Sequence, residues 1–277
     1  MASLTTSQLL AQGLARLTSA IDTPHLDAEL LLAHALGIPR TRLKSHPEEP
    51  RQPAQVTRYL ALVERRAHGE PLAYITGHRD FWTLVLEVDA AVLVPRPETE
   101  LLVERGLTLC PDATADALDL GTGSGAIALA LASERPGWNL TAVDASPRAL
   151  AVARRNAQRL GLTHVNFLEG SWFTLLGDAR FDLIVSNPPY IADGDPALPA
   201  LRFEPLSALT AGHDGLADLR AIIRSAPGHL KPGGALALEH GYTQAPAVAA
   251  ELVAQGFHSV VSHPDLAGHP RVTEGRL

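Results

Sequence analysis

The stretch Leu118-Asp-Leu-Gly-Thr-Gly-Ser-Gly-Ala-Ile127 decides the fold class of this 277-residue chain. A short apolar run leads into Gly121, Gly123 and Gly125, and a segment rich in Ala and Leu follows at once. Glycines at this spacing let the backbone turn sharply and let a ligand lie against the main chain, while N–H groups at the start of a helix face that ligand. The pattern therefore predicts a strand, a loop for a nucleotide-like cofactor, and a helix.

Around this loop, apolar runs of strand length alternate with helical segments. Runs that are apolar throughout are typical of strands covered by helices on both faces. The last two runs are joined by a short loop rich in Gly and Pro, so these strands must pair antiparallel. We predict strands at residues 117–120, 140–143, 165–168, 181–185, 235–238, 257–263 and 271–277. The expected fold class is α/β, with a Rossmann-like seven-stranded sheet whose last strand is antiparallel.

Local signals mark the ends of the elements between these strands. Ser146 is placed to cap a helix that has Pro147 at its first position, and Gly161 is placed to end that helix. Lys231-Pro-Gly-Gly234 predicts a turn between another helix and the fifth strand.

The chain before the glycine loop predicts two further regions. Residues 1–80 show only helical periodicity, beginning with an amphipathic segment at residues 1–17, and predict a small helical domain. Phe81-Trp-Thr-Leu-Val-Leu-Glu-Val88 changes to strand-forming residues, and residues 91–94 continue this pattern. We expect a β-hairpin linker at residues 81–94, or alternatively a strand added to the edge of the following sheet. The catalytic domain would then cover residues 95–277.

Composition excludes several classes of protein. With 46% hydrophobic residues the chain can bury a substantial core, which excludes disorder over most of its length. Cys110 is the only cysteine, so an internal disulfide and a thiolate zinc cluster are ruled out, and a reducing, cytoplasmic setting is the default. The longest aliphatic run, residues 126–132, is far shorter than the roughly 20 residues that span a bilayer. We expect no metal site, no signal peptide and no membrane insertion.

The net charge of −7 is unevenly distributed along the chain. Residues 1–80 carry 9 Lys+Arg against 8 Asp+Glu, whereas residues 81–277 carry 14 against 22, so the two parts have charges of +1 and −8. Because clustered cations are needed to match nucleic-acid phosphates, broad nucleic-acid binding is disfavoured.

An acidic residue follows the second predicted strand, where a nucleotide-like cofactor would need one. Asp144 lies 19 residues beyond Gly125 and is placed to accept hydrogen bonds from ribose hydroxyls. Gly121, Gly123 and Ala126 also satisfy the relaxed dinucleotide pattern. NAD and S-adenosylmethionine therefore both stay open on these residues alone.

A second motif, Asn187-Pro188-Pro189-Tyr190, ends the predicted strand at residues 181–185. In an open α/β sheet, ligands bind beyond the carboxyl ends of the strands at the topological switch point. The Asn187 side-chain oxygen and the Pro188 carbonyl can each accept one N–H of a planar NH2 group, and the Tyr190 ring can stack on that group. The two prolines stiffen the loop, so little ordering entropy is lost on binding. The motif favours methyl transfer to a planar NH2 group and disfavours NAD.

With both motifs in this order, the chain resembles the protein-(glutamine-N5) methyltransferases, the PrmC/HemK family, over nearly its whole length. Five further stretches carry the resemblance: Gly69-Glu-Pro-Leu-Ala-Tyr-Ile-Thr-Gly77, Val94-Pro-Arg-Pro-Glu-Thr-Glu100, Phe203-Glu-Pro-Leu-Ser-Ala-Leu209, Glu239-His-Gly241 and Arg271-Val-Thr273. It implies methyl transfer from S-adenosylmethionine, with S-adenosylhomocysteine as product. The acceptor would be the amide N5 of the glutamine in the Gly-Gly-Gln motif of class 1 peptide-chain release factors, which supports translation termination.

Carried over residue by residue, the resemblance implies a cofactor site and an acceptor site. The cofactor site would comprise Gly121, Thr122, Gly123, Ser124, Gly125, Asp144, Trp172 and Asn187, with Trp172 against the adenine. The acceptor site would comprise Asn187, Pro188, Pro189 and Tyr190, of which Asn187, Pro188 and Tyr190 would be catalytic. Family members often have Asp before this Trp, where the chain has Ser171, so a contact to the adenine amino group would be lost or supplied by backbone. Residues 1–80 would recognise the acceptor.

Three other functions stay open: methylation of a ribosomal-protein glutamine, methylation of an exocyclic amino group in nucleic acid, and a non-enzymatic interaction module. The acidic catalytic region disfavours the second, and the intact Asn-Pro-Pro-Tyr motif disfavours the third. We expect a monomer whose partner is a release factor, with no nucleic-acid substrate.

Arg96 and Glu98 are expected either to bridge the cofactor loop or to pair at a domain joint, and His240 is expected to be structural. A basic helix face is expected from Arg58, Arg65 and Arg66.

Overall fold

The computed structural model of the protein describes residues 4–17, 21 and 23–277. The chain divides into two compact units, Met1–His78 and Arg79–Leu277. This boundary lies two residues before the one predicted from helical periodicity. The first residues of the predicted N-terminal segment, 1–3, lie outside the described residues.

The described part of the first unit is helical, as its periodicity predicts. Its core consists of apolar side chains that the helices bury together, including Leu9, Leu31, Leu32, Tyr59 and Val63. The helices are α1 Thr6–Leu17, α2 Pro24–Leu36, α3 Arg40–Ser45, α4 Pro53–Ala67 and α5 Leu72–Thr76.

Two of the three arginines of the basic face predicted on α4 form ion pairs. Arg66 Nε donates to Asp27 Oδ2 at 2.7 Å, and Arg65 Nε donates to Glu70 Oε2 at 2.8 Å. These carboxylates of the same unit offset the charge of both guanidinium groups, whereas the third residue, Arg58, is exposed on the same helix.

A two-stranded hairpin of β1 His78–Phe81 and β2 Leu84–Glu87 begins earlier than predicted and forms a sheet of its own. The chain turns at Trp82, whose φ is 56° and whose N–H donates to Glu100 Oε1 at 2.8 Å. The predicted single strand at residues 81–88 thus contains the turn and the second strand. Residues 91–94 form no strand. They belong to an irregular segment in which the side chains of Val92 and Val94 are buried. A hairpin is therefore present, as predicted, but its strands lie at residues 78–81 and 84–87, and the alternative of a strand added to the edge of the larger sheet is wrong.

The second sheet has seven strands in the order β5-β4-β3-β6-β7-β9-β8. The strands from β3 to β7 are parallel, and β9 is antiparallel to both of its neighbours, which confirms the predicted fold class. Their bounds are β3 Asp116–Leu120, β4 Asn139–Asp144, β5 Asn166–Glu169, β6 Phe181–Ser186, β7 Leu230–Glu239, β8 His258–Pro264 and β9 Pro270–Arg276. The topological switch point lies between β3 and β6.

Helices cover both faces of this sheet, so each central strand is buried on both sides. On β6, Leu183 and Val185 join one core with α6 and α7, whereas Ile184 joins the other with α9 and α10. The helices are α6 Glu100–Leu109, α7 Ala126–Glu134, α8 Pro147–Leu160, α9 Ala217–His229 and α10 Ala245–Ala254. No helix in the described part of the chain is long and apolar enough to cross a membrane.

The predicted element ends agree with the structure in one case and differ in another. The Ser146 side chain caps α8 by accepting from the Ala149 N–H, and Gly161 ends α8 with a φ of 73°. By contrast, β7 begins at Leu230 directly after α9, so the predicted turn at residues 231–234 lies inside the strand. The pairing of β6 with β7 is irregular there, which accommodates Gly233 at a φ of 79°.

Candidate active site

The carboxyl ends of five parallel strands bring the sequence motifs to one edge of the sheet. The glycine loop follows β3, and Asp144 ends β4. Trp172 lies shortly after β5, the Asn-Pro-Pro-Tyr motif follows β6, and Glu239 ends β7. Parallel strands end on the same side, so segments far apart in sequence become neighbours at the switch point.

The glycine loop is fixed by backbone hydrogen bonds to β4. The N–H groups of Gly121 and Thr122 donate to Val143 O at 2.8 and 3.0 Å, and the Gly123 N–H donates to Asp144 Oδ2 at 2.8 Å. These three N–H groups are therefore already bonded. At the start of α7, where N–H groups are expected to face a ligand, the N–H groups of Gly125 and Ala128 are bonded as well, to Thr122 O at 2.8 Å and to Asp119 Oδ2 at 3.2 Å. The glycines are needed instead for their φ values of 71°, 57° and 84° at Gly121, Gly123 and Gly125, which L side chains disfavour.

Buried polar side chains hold the glycine loop from its interior side. Asp119 Oδ2 accepts from Thr122 Oγ1 at 2.7 Å and from the Ala128 N–H at 3.2 Å, and complete burial raises the pKa of Asp119 to about 7. Asn156 Nδ2 donates to Ser124 O at 2.9 Å. Thr122 and Ser124 are only 5% and 3% exposed. Their side chains therefore support the loop from the interior.

A cavity of about 440 Å³ lies in front of the loop. It brings together Gly121, Gly123, Asp144, Trp172, Asn187 and Pro189 of the predicted site residues. Thr122, Ser124 and Gly125 do not line it. A Cβ on Gly123 would have no atom within 4 Å, so the glycine leaves open space on the cavity side. Residues 91–93 also line the cavity, which the sequence did not indicate.

Asp144 presents an oriented carboxyl group to this cavity. Its Oδ1 accepts from the Ser146 N–H and its Oδ2 from the Gly123 N–H, each at 2.8 Å. Burial raises the pKa of Asp144, and these two backbone donors oppose the rise by stabilising the carboxylate. Each oxygen keeps a free lone pair, so the group suits a vicinal diol such as that of a ribose.

The far wall of the cavity carries an aromatic ring next to a carboxyl group. The Trp172 ring lies 3.4 Å from the position that a Cβ on Gly121 would take, and its backbone has a φ of 48°. Burial raises the pKa of the Asp218 carboxyl, and the Trp172 side chain opposes this rise. Asp218 and Ser171 both line the cavity. A carboxyl group is therefore present here although the residue before Trp172 is Ser.

A second cavity of about 230 Å³ lies beside the first and is lined by Arg96, Pro188 and Tyr190. Both cavities are lined by Asn187, Leu93 and Ala208. Asn187 thus lies in a wall that the larger and the smaller cavity share. The Asn187 Nδ2 donates to Thr99 Oγ1 at 3.1 Å, which fixes the side chain from behind.

The Tyr190 residue is held at both of its ends. Its hydroxyl donates to Glu239 Oε1 at 3.3 Å, and its carbonyl accepts from Gln244 Nε2 at 3.0 Å. Burial and the neighbouring Glu239 carboxyl raise the pKa of Tyr190 above its ordinary value, so the phenol stays neutral. Gly215 passes so close that a Cβ on it would lie 2.3 Å from Tyr190 O.

The loop that follows the Asn-Pro-Pro-Tyr motif is held beside the smaller cavity by contacts of Glu204. The Arg96 guanidinium pairs with the carboxylate of Glu204, and Glu204 Oε2 accepts from the Val94 N–H at 3.0 Å. Arg96 therefore neither bridges the cofactor loop nor pairs at a domain joint. Glu98 lines a separate surface cavity with Trp82 and Leu266.

His240 is structural, as predicted. It is fully buried, its Nδ1 donates to Gly241 O at 2.9 Å, and its Nε2 lies 2.7 Å from Thr273 Oγ1. Burial lowers its pKa, so the ring is neutral. Among the residues that the structure describes, no three His, Cys, Asp or Glu side chains are grouped to hold a metal ion.

Sequence reasoning missed the buried polar residues behind the cavities: Thr99, Asp119, Asn156, Glu204 and Glu239. Three of them, Thr99, Glu204 and Glu239, stand in stretches that carry the family resemblance, and this was the only signal available for them. The residues that line the larger cavity suit S-adenosylmethionine, because they offer a diol acceptor at Asp144, a ring at Trp172 and a carboxyl at Asp218.

Comparison with known proteins gives two family matches. A model described as the PrmC N-terminal domain matches residues 8–77, and one described as a methyltransferase domain matches residues 111–266. The release factor glutamine methyltransferase of Xylella fastidiosa (strain Temecula1) is 52% identical over 254 residues, which cover 91% of this chain and 92% of that protein. The release factor glutamine methyltransferase of Salmonella typhimurium is 49% identical over 258 residues, which cover 92% and 93%.

A solved structure supports the fold assignment independently. The 16S rRNA N2 G1207 methyltransferase of T. thermophilus, in complex with AdoMet and guanosine, has a TM-score of 0.53 and 22% identity to this chain. The match covers 72% of this chain and 49% of that chain, and it concerns the fold alone.

Proposed function

The chain belongs to the release factor glutamine methyltransferase family, and we propose that it methylates N5 of the glutamine in the Gly-Gly-Gln motif of class 1 peptide-chain release factors. The predicted enzyme class, the S-adenosylmethionine cofactor and the α/β fold are confirmed. Identity near 50% over more than nine-tenths of each chain supports the same acceptor class, whereas the rRNA enzyme shares only the fold.

One observation carries the proposal for the site: Asn187 lines both the larger and the smaller cavity. The larger one suits the methyl donor, and the smaller one, with Pro188 and Tyr190, is available for the acceptor amide. A residue in the shared wall can touch both molecules at the point where the methyl group passes.

On the donor side, Asp144 would accept hydrogen bonds from the ribose hydroxyls, and the Trp172 ring would lie against the adenine. Gly121 and Gly123 leave room for the rest of the molecule. When bound, S-adenosylmethionine supplies an electrophilic methyl group. The chain contributes orientation, and residues 91–93 and 205–209 provide further lining for the cavities.

On the acceptor side, Asn187 Oδ1 and the Pro188 carbonyl would each accept one N–H of the glutamine amide, and Tyr190 would hold its plane. An amide nitrogen is a weak nucleophile because its lone pair is delocalised. Two acceptors fix the nitrogen in line with the methyl group, and they bind more strongly as positive charge develops on it. The nitrogen then loses its surplus proton to water, so no strong base is required.

The partner and setting form part of the same proposal. The charge of −8 on residues 81–277 suits an acceptor protein that is basic around its reactive loop, and the helical unit is available to select that protein. The enzyme would act as a cytoplasmic monomer.

The test is incubation of the full chain with S-adenosylmethionine labelled in its methyl group and one of three acceptors: release factor, ribosomal proteins or DNA. We expect a gain of one methyl group on the Gly-Gly-Gln glutamine by peptide mass mapping. Asn187→Ala provides the inactive control. Label on a ribosomal protein or on DNA, with none on the release factor, would contradict the proposal.

A further inference from the structure

Two buried polar side chains lie behind the wall shared by the two cavities: Thr99 contacts Asn187, and Glu239 contacts Tyr190. We propose that both are positioning residues: Thr99 determines which atom of the Asn187 amide faces the acceptor, and Glu239 orients Tyr190. The inference rests on the proposed function, since it explains how Asn187 presents an oxygen to the glutamine N–H.

The contacts join three separate parts of the second unit. Thr99 ends a short 3-10 turn, Pro97–Thr99, just before α6, and Glu239 is the last residue of β7. Thr99 is 4% exposed and Glu239 is 1% exposed. Asn187 Nδ2 donates to Thr99 Oγ1 at 3.1 Å. The Thr99 side chain also acts on the Glu239 carboxyl, where it favours the ionised form.

The direction of this bond follows from the number of protons that each group has. A threonine hydroxyl has one proton to donate and two lone pairs, and the Asn187 Nδ2 can only donate. Thr99 therefore meets Asn187 with a lone pair. Only the NH2 end of the Asn187 amide can bind that lone pair. Its oxygen is then the end left for an acceptor molecule.

Glu239 holds another residue of the motif. The Tyr190 hydroxyl donates to its Oε1 at 3.3 Å, so this carboxyl group orients Tyr190. Glu239 is almost completely buried at the end of β7, and placing a carboxyl group there has a desolvation cost that packing alone does not explain. Orientation of the motif accounts for its presence.

Thr99→Val removes the hydroxyl at nearly constant volume, and Thr99→Ser keeps it. We expect Thr99→Val to lower kcat with a release factor about 10- to 100-fold, the effect of losing one orienting hydrogen bond, and Thr99→Ser to stay within about threefold of the original enzyme. The dissociation constant for S-adenosylmethionine should change by less than about threefold in both variants.

A matched control is Thr273→Val on β9. Thr273 is also fully buried, and its hydroxyl lies 2.7 Å from both His240 Nε2 and Ser262 Oγ, in a network that does not include Asn187. This variant should lose stability but keep its kcat within about threefold of the original enzyme. Equal losses of kcat in Thr99→Val and Thr273→Val would overturn the inference, as would a Thr99→Ser variant as slow as Thr99→Val.

A second measurement does not depend on activity. The chain has four asparagines, at 139, 156, 166 and 187, so selective 15N labelling of Asn gives a simple NMR spectrum of side-chain amides. The Asn187 signal, assigned with Asn187→Ala, should show slowed hydrogen exchange in the original protein and in Thr99→Ser, and faster exchange in Thr99→Val. Unchanged exchange in Thr99→Val would overturn the inference even if the proposed acceptor were correct. Conversely, an original enzyme that fails to methylate release factor while this exchange pattern holds would overturn the proposed function alone.

Discussion

Replacing Glu239 by Gln is expected to stabilise the protein near neutral pH while slowing the enzyme. Burial raises the pKa of Glu239 from 4.5 to about 7, against opposing effects of Thr99, Arg271 and Tyr190, while Glu98 adds to the rise. Between pH 4.5 and 7 the folded protein therefore binds more protons at this group than the unfolded chain does. The free energy of unfolding consequently falls as the pH rises through this window.

The magnitude follows from the size of the shift. A carboxyl that titrates near 7 when folded and near 4.5 when unfolded costs about 3 kcal/mol of stability once the pH is above both values. The side chain of the Glu239→Gln variant stays neutral at every pH and avoids this cost. The free energy of unfolding of the variant, minus that of the original protein, should therefore rise by about 3 kcal/mol between about pH 4.5 and 8.

Urea unfolding followed by tryptophan fluorescence is a suitable assay, because Trp82, Trp138 and Trp172 all lie in the second unit. The buried Asp119, whose pKa is also near 7, contributes equally to both proteins and cancels in the difference. Asp116→Asn is the matched control. Lys231 and Asn139 hold the pKa of Asp116 below its usual range, and neither side chain titrates between about pH 5.5 and 8, so the difference curve of this variant should be flat there.

A flat difference curve for Glu239→Gln over the same range would refute the reasoning. It would show that the carboxyl remains ionised inside the protein, so that its hydrogen-bond donors outweigh its loss of hydration. A falling curve would show that the sign is reversed.

Three further predictions concern the site. Asn187→Ala should bind S-adenosylmethionine normally but lose about 10²-fold or more in kcat, and unchanged turnover would contradict the mechanism. Asp144→Asn leaves one of the two backbone N–H groups that Asp144 accepts from without an acceptor. This variant should bind S-adenosylmethionine about 10-fold or more weakly, as measured by calorimetry, and an unaltered dissociation constant would disprove the prediction. Gly215→Ala would place a Cβ 2.3 Å from Tyr190 O, at a residue whose φ is 70°. This variant should have a lower kcat and an unchanged affinity for the cofactor. Activity equal to that of the original enzyme would show that the backbone at Gly215 moves to accommodate the Cβ without displacing Tyr190.

Much of the fold was predictable from local sequence because its signals are local. Fully apolar runs predicted the strands, Ser146 and Gly161 predicted the ends of α8, and two motifs at strand ends predicted the edge where a site would lie. The errors arose where local signals were ambiguous. The hairpin turn at Trp82 is formed by an aromatic residue with positive φ, which no turn pattern indicates.

What only the tertiary structure decided is the partner of each buried polar group. The sequence predicted that Asn187 presents its oxygen to a substrate amide, but nothing indicated that Thr99, 88 positions away, binds its NH2 end. Thr99 and Glu239 are ordinary residues in sequence, and they acquire a role because β6 and β7 are neighbours in the sheet and α6 begins beside them. Burial makes an unpaired polar atom costly, so the fold determines these pairings, whereas the sequence specifies only the residues available for them.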